Sequence, residues 1–248
     1  MAAQGRAANR LPARQARAGG RRAQRDMDLL IFDLDGTLID SRMDLADSVN
    51  AMRVHMGMPP LPDEQVTSYV GNGAPLLVRR ALGGEPAEAQ LDEALAFFLE
   101  YYRQHPLDHT TLYPGVRESL DRLRAAGKRM AVLTNKPAKV SRAIVDGLGV
   151  GACFFSVYGG NSFEFKKPNP IGVETLMREA GVTPARTLMI GDSSVDVETA
   201  RNAHIRSCGV TYGFKPETLA DPRPDLLVDR MEDLADWVLG NHNHGVKK

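Results

Sequence analysis

The sequence predicts an α/β protein: a Rossmann-like parallel sheet core with a helical cap inserted after the first strand. Three observations carry this. Short apolar runs at 29–33, 129–134 (RMAVLT), 187–192 (TLMIGD), 207–213 (SCGVTYG) and 226–228 (LLV) read as strands. Helical patterns at 115–126, 137–148 and 170–180 lie between them, and strands alternating with such helices give a parallel sheet covered on both faces. The region 42–110 breaks that rhythm, with helical patterns and no convincing strand. An insertion there emerges beside the C-terminal edge of the sheet, where ligands bind in open α/β folds.

Each element has a local reason. In 115–126, Val116, Leu120 and Leu123 recur at helical spacing between Pro114 and Gly127. In 137–148, Pro137 suits the first helical position, and Val140, Ile144 and Leu148 form a stripe before Gly149. The stretch 170–180 repeats the plan from Pro170 to Gly181. Within the insert the helical patterns cover 43–57, 72–82 and 87–104, and TTLYPGV at 110–116 returns the chain to the core. The expected division is a leader (1–26), an α/β core (27–42 and 111–240), a helical cap (43–110) and a flexible tail (241–248).

Composition narrows the function classes. With 248 residues, 43% of them apolar, the chain can bury one large core or two modest ones. No apolar run approaches the roughly 20 residues that cross a bilayer. Cys153 and Cys208 lack the spacing of a metal site or a disulfide framework, so a reduced, cytoplasmic setting is expected. Formal net charge is zero but uneven: residues 1–26 hold seven arginines and one acid, and the remainder 24 basic and 30 acidic residues. A mildly acidic body argues against a nucleic-acid surface.

The Arg/Ala/Gly-rich leader has few bulky apolar residues and is expected to be disordered. It reads as a solvated tail, or as an upstream start before Met27. An Arg-rich transit peptide, although serine is absent, and a nucleic-acid or membrane tether are the alternatives. His242 and His244, in the C-terminal NHNHGVKK, read as part of a solvent tail.

The chemistry-bearing residues gather at three strand ends. Asp33 and Asp35 follow the first strand, with Gly36 for a tight turn and Thr37 for a hydroxyl. Two carboxylates facing one small space repel unless a cation joins them, and an oxygen-only set suits a hard ion such as Mg²⁺. Thr134-Asn135 ends the second strand, where a hydroxyl and backbone N–H groups suit an anion beside a helix N-terminus. GDSSVD ends the third: Asp192 is a candidate metal ligand, and Asp196, four residues on, returns to the same site from a helix. Lys167 of FKKPNP suits a phosphate or a nucleophilic carboxylate, with Lys166 beside it pointing elsewhere. Singly, these are turns, helix caps and a surface lysine. Three parallel-strand ends carrying acids, a hydroxyl and a lysine together form a site.

This set resembles the haloacid dehalogenase-like hydrolase superfamily. DLDGTLIDS, LTN, Lys167 of KKPNP and GDSSVD match its four motifs, and the resemblance covers about 29–239. YVGNGAPLLVRRALG at 69–83, LYPGV and GVTYGF are most similar to the bacterial phosphoglycolate phosphatases within it. The resemblance implies Asp33 as nucleophile, Asp35 as acid and base, and Thr134, Asn135 and Lys167 on the phosphoryl oxygens. It further implies Mg²⁺ held by Asp33, the Asp35 carbonyl and Asp192, with Asp196 in support. The partner implied is a small phosphorylated metabolite, without nucleic acid or membrane, for a monomer or homodimer. One departure is visible: Ala203-His204 stands where such phosphatases show Ala-Gly, placing His204 at a left-handed cap position.

The cap is less specific. Gly71-Asn72-Gly73 reads as a substrate-specificity loop or equally as a turn opening a helix. Arg79 and Arg80 suit a substrate carboxylate, but an ordinary solvated face is the preferred reading. Tyr69, Phe97, Phe98, Tyr101 and Tyr102 read as cap packing, and Asp40 and Ser41 as caps of the first insert helix.

Related chemistries separate on physical requirements. A phosphonoacetaldehyde hydrolase needs a cap lysine, and the first lysine of this chain is Lys128. A dehalogenase has no need of Asp35, and nothing demands the second hydroxyl site of a sugar phosphomutase. Pyrophosphatase, or another small phosphomonoesterase, remains the alternative. A noncatalytic phosphate-binding module would tolerate loss of Asp33 or Asp35, and both are present.

Overall fold

The computed structural model describes residues 27–241 and 246–247; the leader lies outside the described residues. β1 (Leu29–Phe32) is an interior strand of the main sheet, paired in parallel with β4 (Arg129–Leu133) on one side and β6 (Thr187–Gly191) on the other. Its continuous apolar run follows from this position, because a strand covered on both faces has no polar side. Leu30 and Phe32 join the larger apolar cluster, Leu29 and Ile31 the smaller one, as the two-residue period of a strand requires.

Before β4 the chain leaves the core. β2 (Ile39–Asp40) and β3 (Thr111–Leu112) form a short antiparallel ribbon that flanks the insert. Between them lie α1 (Arg42–His55), α2 (Asp63–Tyr69), α3 (Ala74–Leu82) and α4 (Glu88–Gln104). Buried Asp44 at the start of α1 accepts bonds from the Thr110 hydroxyl (2.6 Å) and from the His109 and Thr110 backbone N–H groups. One carboxylate thus ties the first helix of the insert to the segment that returns to the core. The cap residues Leu45, Val49, Leu77 and Phe98 belong to the same apolar cluster as Phe32, so the cap shares its core with the sheet.

The remaining chain completes the layers. α5 (Val116–Ala125) precedes β4, and α6 (Ala138–Gly147) leads to β5 (Ser156–Tyr158). Then come α7 (Ile171–Ala180), β6, α8 (Ser194–Asn202), β7 (Arg206–Val210), β8 (Leu226–Val228), α9 (Met231–Leu239) and β9 (Val246–Lys247). The strand order is β5-β4-β1-β6-β7-β8-β9, parallel except for β9. Leu120, Ile144 and Leu234 cover one face, and Val173, Leu176 and Ala200 the other.

The differences from expectation are small elements. β5 is three residues long, β2 and β3 two each and α2 seven, too short to show a period. Val246–Lys247, in the segment read as a flexible tail, pairs with β8. Pro137 caps α6 from outside, one position earlier than expected.

His204 follows α8 with φ 54°, the left-handed conformation that disfavours a side chain. His204→Gly relieves that strain and forfeits some unfolded-state restriction, for a net gain of about 0.5–1 kcal/mol. Differential scanning calorimetry is expected to show Tm raised by about 1–4 °C, with activity unchanged.

Candidate active site

The C-terminal ends of β1, β4 and β6 converge because the three strands are neighbours in register: Phe32 pairs with both Val132 and Ile190. The residues that follow, Asp33, Thr134 and Asp192, therefore emerge at one edge. All three are buried.

Asp33 is held from three directions. Its backbone N–H donates to the Ile190 carbonyl at 2.8 Å. Its Oδ1 accepts from the Leu34 N–H at 2.7 Å and lies 3.0 Å from Lys167 Nζ. This fixes the plane of the carboxyl group and leaves Oδ2 without a hydrogen bond among the described residues. Lys167 Nζ also reaches Asp196 Oδ1 at 2.6 Å. Asp196 is committed a second time, since its Oδ2 accepts from the Ser193 hydroxyl and N–H in a capping box that starts α8. The Lys167 ammonium is thereby aimed at Asp33 by a helix cap. Burial opposes its charge, but Asp196 and Asp33 outweigh burial and raise its pKa.

Asp192 Oδ2 accepts from the backbone N–H groups of Phe214 (2.6 Å) and Lys215 (3.3 Å). Gly36, at φ 78°, makes room for it: a Cβ there would fall 2.2 Å from that oxygen. Burial, then the charges of Asp196 and Asp33, push the Asp192 carboxyl up to about 8. Burial also pushes Asp33 up to about 6, with Lys167 opposing and Asp196 reinforcing the shift. Oxygens of Asp33, Asp192 and Asp196 lie within 4.8 Å of one another. Three carboxylates against one ammonium leave uncompensated negative charge in a buried, oxygen-only set. That donor set fits a hard divalent cation.

Asp35 stands across the mouth. Its Oδ1 accepts from Ser41 Oγ at 2.5 Å, and Lys136 Nζ reaches both of its oxygens, at 2.8 and 3.1 Å. Thr134 Oγ1 accepts a long bond from the Lys136 N–H, which leaves its own proton available. The cap closes over these groups. Gly71, Gly73, Leu77, Phe98 and Tyr102 join Asp33, Asp35, Thr134, Asn135 and Lys136 around a cavity of about 50 Å³. By the space that one buried water needs, that admits only a few water-sized groups.

The expected residues divide. Asp33, Asp35, Thr134, Lys167, Asp192 and Asp196 come together, and Gly71 and Gly73 line the cavity. The side chain of Asn135 faces the seam instead: its Nδ2 donates to the carbonyls of Gly71 and Lys167. Lys166, expected to point elsewhere, donates to the Asn72 carbonyl at 2.6 Å and so fastens the cap loop to the core. Asn72 is held there by its Oδ1 as well, which accepts from Arg80. Arg79 lies outside the cavity, 3.9 Å from Glu85. Ser41 does not cap α1 through its side chain; its hydroxyl serves Asp35. Asp40 accepts from the Arg42 N–H and guanidinium. Lys136 is absent from the residues expected of the site, and its place directly after the Thr134-Asn135 strand end is the sequence signal that marks it.

A model of the family described as haloacid dehalogenase-like hydrolase matches residues 30–210. A phosphoglycolate phosphatase of Pseudomonas putida is 42% identical over 213 residues, 83% of this chain and 78% of that protein. One from Vibrio vulnificus is 40% identical over 225 residues, 87% and 98% of the two chains. Among solved structures, a Haemophilus somnus protein described as a predicted phosphoglycolate phosphatase superposes with a TM-score of 0.80 at 33% identity, covering 84% of this chain and 96% of its own. With a buried carboxylate trio beside an ammonium at its strand ends, the protein belongs to the haloacid dehalogenase-like hydrolase family and is closely related to the bacterial phosphoglycolate phosphatases.

Proposed function

We propose that this phosphomonoesterase hydrolyses 2-phosphoglycolate to glycolate and phosphate through an aspartyl-phosphate on Asp33. The observation that carries the chemistry is the convergence of Asp33, Asp35 and Thr134 on one cavity beneath the cap, with Lys167 Nζ 3.0 Å from Asp33 Oδ1. The relatives named for phosphoglycolate support the substrate.

An oxygen of Asp33 attacks phosphorus, and the bond from phosphorus to the ester oxygen breaks. Asp35 gives a proton to the departing glycolate oxygen, then takes one from the water that attacks the aspartyl-phosphate. That second attack releases phosphate and restores Asp33. Nucleophile and phosphoryl group are both anionic, so neutralisation and in-line placement are what the protein must supply. Lys167 and the Thr134 hydroxyl serve the phosphoryl oxygens, and Asp196 acts through Lys167. Mg²⁺ would be held by Asp33, Asp192 and the Asp35 carbonyl, and would supply charge neutralisation at the phosphoryl group. The cap excludes bulk water, and among the described residues no helix is long and apolar enough to cross a membrane.

Phosphate release with Mg²⁺ from 2-phosphoglycolate, beside pyrophosphate and a panel of sugar phosphates, tests the reading. The expected result is a kcat/KM for 2-phosphoglycolate about 100-fold or more above the others, the discrimination that a site built for a polar substrate group provides. Faster turnover of pyrophosphate, or equal turnover of the whole panel, would overturn the substrate and leave the chemistry.

A further inference from the structure

The walls of the cavity differ in chemistry. The core contributes carboxylates, a hydroxyl and an ammonium, whereas the cap contributes Leu45, Val70, Leu77, Phe98 and Leu99. An apolar lid is a poor host for the carboxylate of 2-phosphoglycolate, which loses its hydration as the cap closes. Arg79 does not line the cavity, so the cap offers no guanidinium from that position.

Tyr102 differs from the rest of the lid. It sits near the end of α4, lines the cavity and is 2% exposed, yet its hydroxyl has no hydrogen-bond partner among the described residues. Buried hydroxyls without partners are rare and call for a reason. Lys136, from the core, places its ammonium 4.4 Å from the centre of the Tyr102 ring. An ammonium has three N–H donors, and the two oxygens of Asp35 occupy no more than two.

We propose that the Tyr102 hydroxyl and the remaining N–H of Lys136 form the receptor for the substrate's carboxylate. This rests on the 2-phosphoglycolate reading above and assigns its specificity to two residues. The receptor is assembled across the seam, one donor from the cap and one from the core. Recognition of the carboxylate therefore requires the cap to be closed over Asp33. A pyrophosphate would present its second anionic group to the same donors, so the assay must separate carboxylate from phosphate.

The test compares kcat/KM for 2-phosphoglycolate, for ethyl phosphate, which lacks only the carboxylate oxygens, and for pyrophosphate, in wild type, Tyr102→Phe and Lys136→Met. Tyr102→Phe is isosteric and removes a hydroxyl that makes no well-formed hydrogen bond and has the Lys136 ammonium as a polar neighbour, so it is expected to fold normally. Hydrogen bonds to charged groups predict that the ratio of 2-phosphoglycolate to ethyl phosphate falls about ten-fold or more in each variant. Lys136→Met also disturbs Asp35, which lowers both esters together and leaves the ratio to report recognition. A wild type that prefers 2-phosphoglycolate, with a ratio unmoved by either variant, would overturn the receptor while the substrate stands. A wild type that treats both esters alike, or prefers pyrophosphate, would overturn the substrate reading and the receptor with it.

Discussion

Asp33→Asn is expected to release phosphate at least about 10⁴-fold more slowly than wild type, while remaining folded. The amide has the same shape and can accept the Leu34 N–H and face Lys167, but it cannot form an acyl phosphate that turns over. Stability should move the other way. Burial pushes Asp33 up to about 6, so its ionised form is disfavoured by folding. A raised carboxyl contributes stability that is full below its unfolded value, near 4, and lost as pH rises through about 6. The neutral amide escapes that loss. Lys167 keeps Asp196 at 2.6 Å as its other partner. In thermal melts without divalent cations near pH 8, Asp33→Asn should therefore have a Tm equal to or above that of wild type. A drop of several degrees would show that Asp33 is fully compensated by Lys167, and a variant retaining a tenth of the activity would remove Asp33 as the nucleophile. Activity is in this case bought with stability, as expected where a site must hold charge out of water.

The parts of this site that were legible from sequence are those fixed by strand ends. Asp33, Thr134 and Asp192 each follow an apolar run, and buried parallel strands announce themselves as such runs. Once the strands are neighbours, the residues after them must meet. Side-chain competition across the fold left no such trace. Ser41 has the sequence position of a helix cap, but the Asp35 carboxylate, six residues back, offers its hydroxyl a stronger, charge-assisted bond. Arg79 and Arg80 are adjacent in sequence, yet neighbouring helical residues do not share a face. Arg80 therefore holds the carbonyl of Tyr69 and the Asn72 side chain, while Arg79 meets Glu85. Lys136 resembled any polar residue at a helix start. Its burial depends on a tyrosine brought over it by the cap, 34 positions earlier in the chain, which local pattern cannot show.

Removing divalent cations should make stability fall with pH between about 6 and 8, and Mg²⁺ should abolish that fall. Burial, with Asp196 and Asp33 adding repulsion, pushes Asp192 up to about 8, and Asp33 follows at about 6. Without a cation, the stability contributed by protonated Asp192 is full below its unfolded value and is lost as pH approaches 8. Cation binding needs both groups deprotonated, so it competes with protons and becomes tighter as they leave. For one group of this kind the apparent affinity rises by about ten-fold per pH unit below its pKa, or about 10–100-fold from pH 6 to pH 8. Ligand-linked stabilisation follows the ratio of concentration to Kd, so the Tm increment on adding Mg²⁺ should be larger near pH 8 than near pH 6. Asp192→Asn removes the group with the largest shift, and its melts should lose most of both effects. Calorimetric titrations of Mg²⁺ in two buffers of different ionisation enthalpy would count the protons released, close to one near pH 7 for Asp192. An increment independent of pH, with no proton release, would mean that Asp192 is already ionised in the cation-free fold, its charge carried by the Phe214 and Lys215 N–H groups alone.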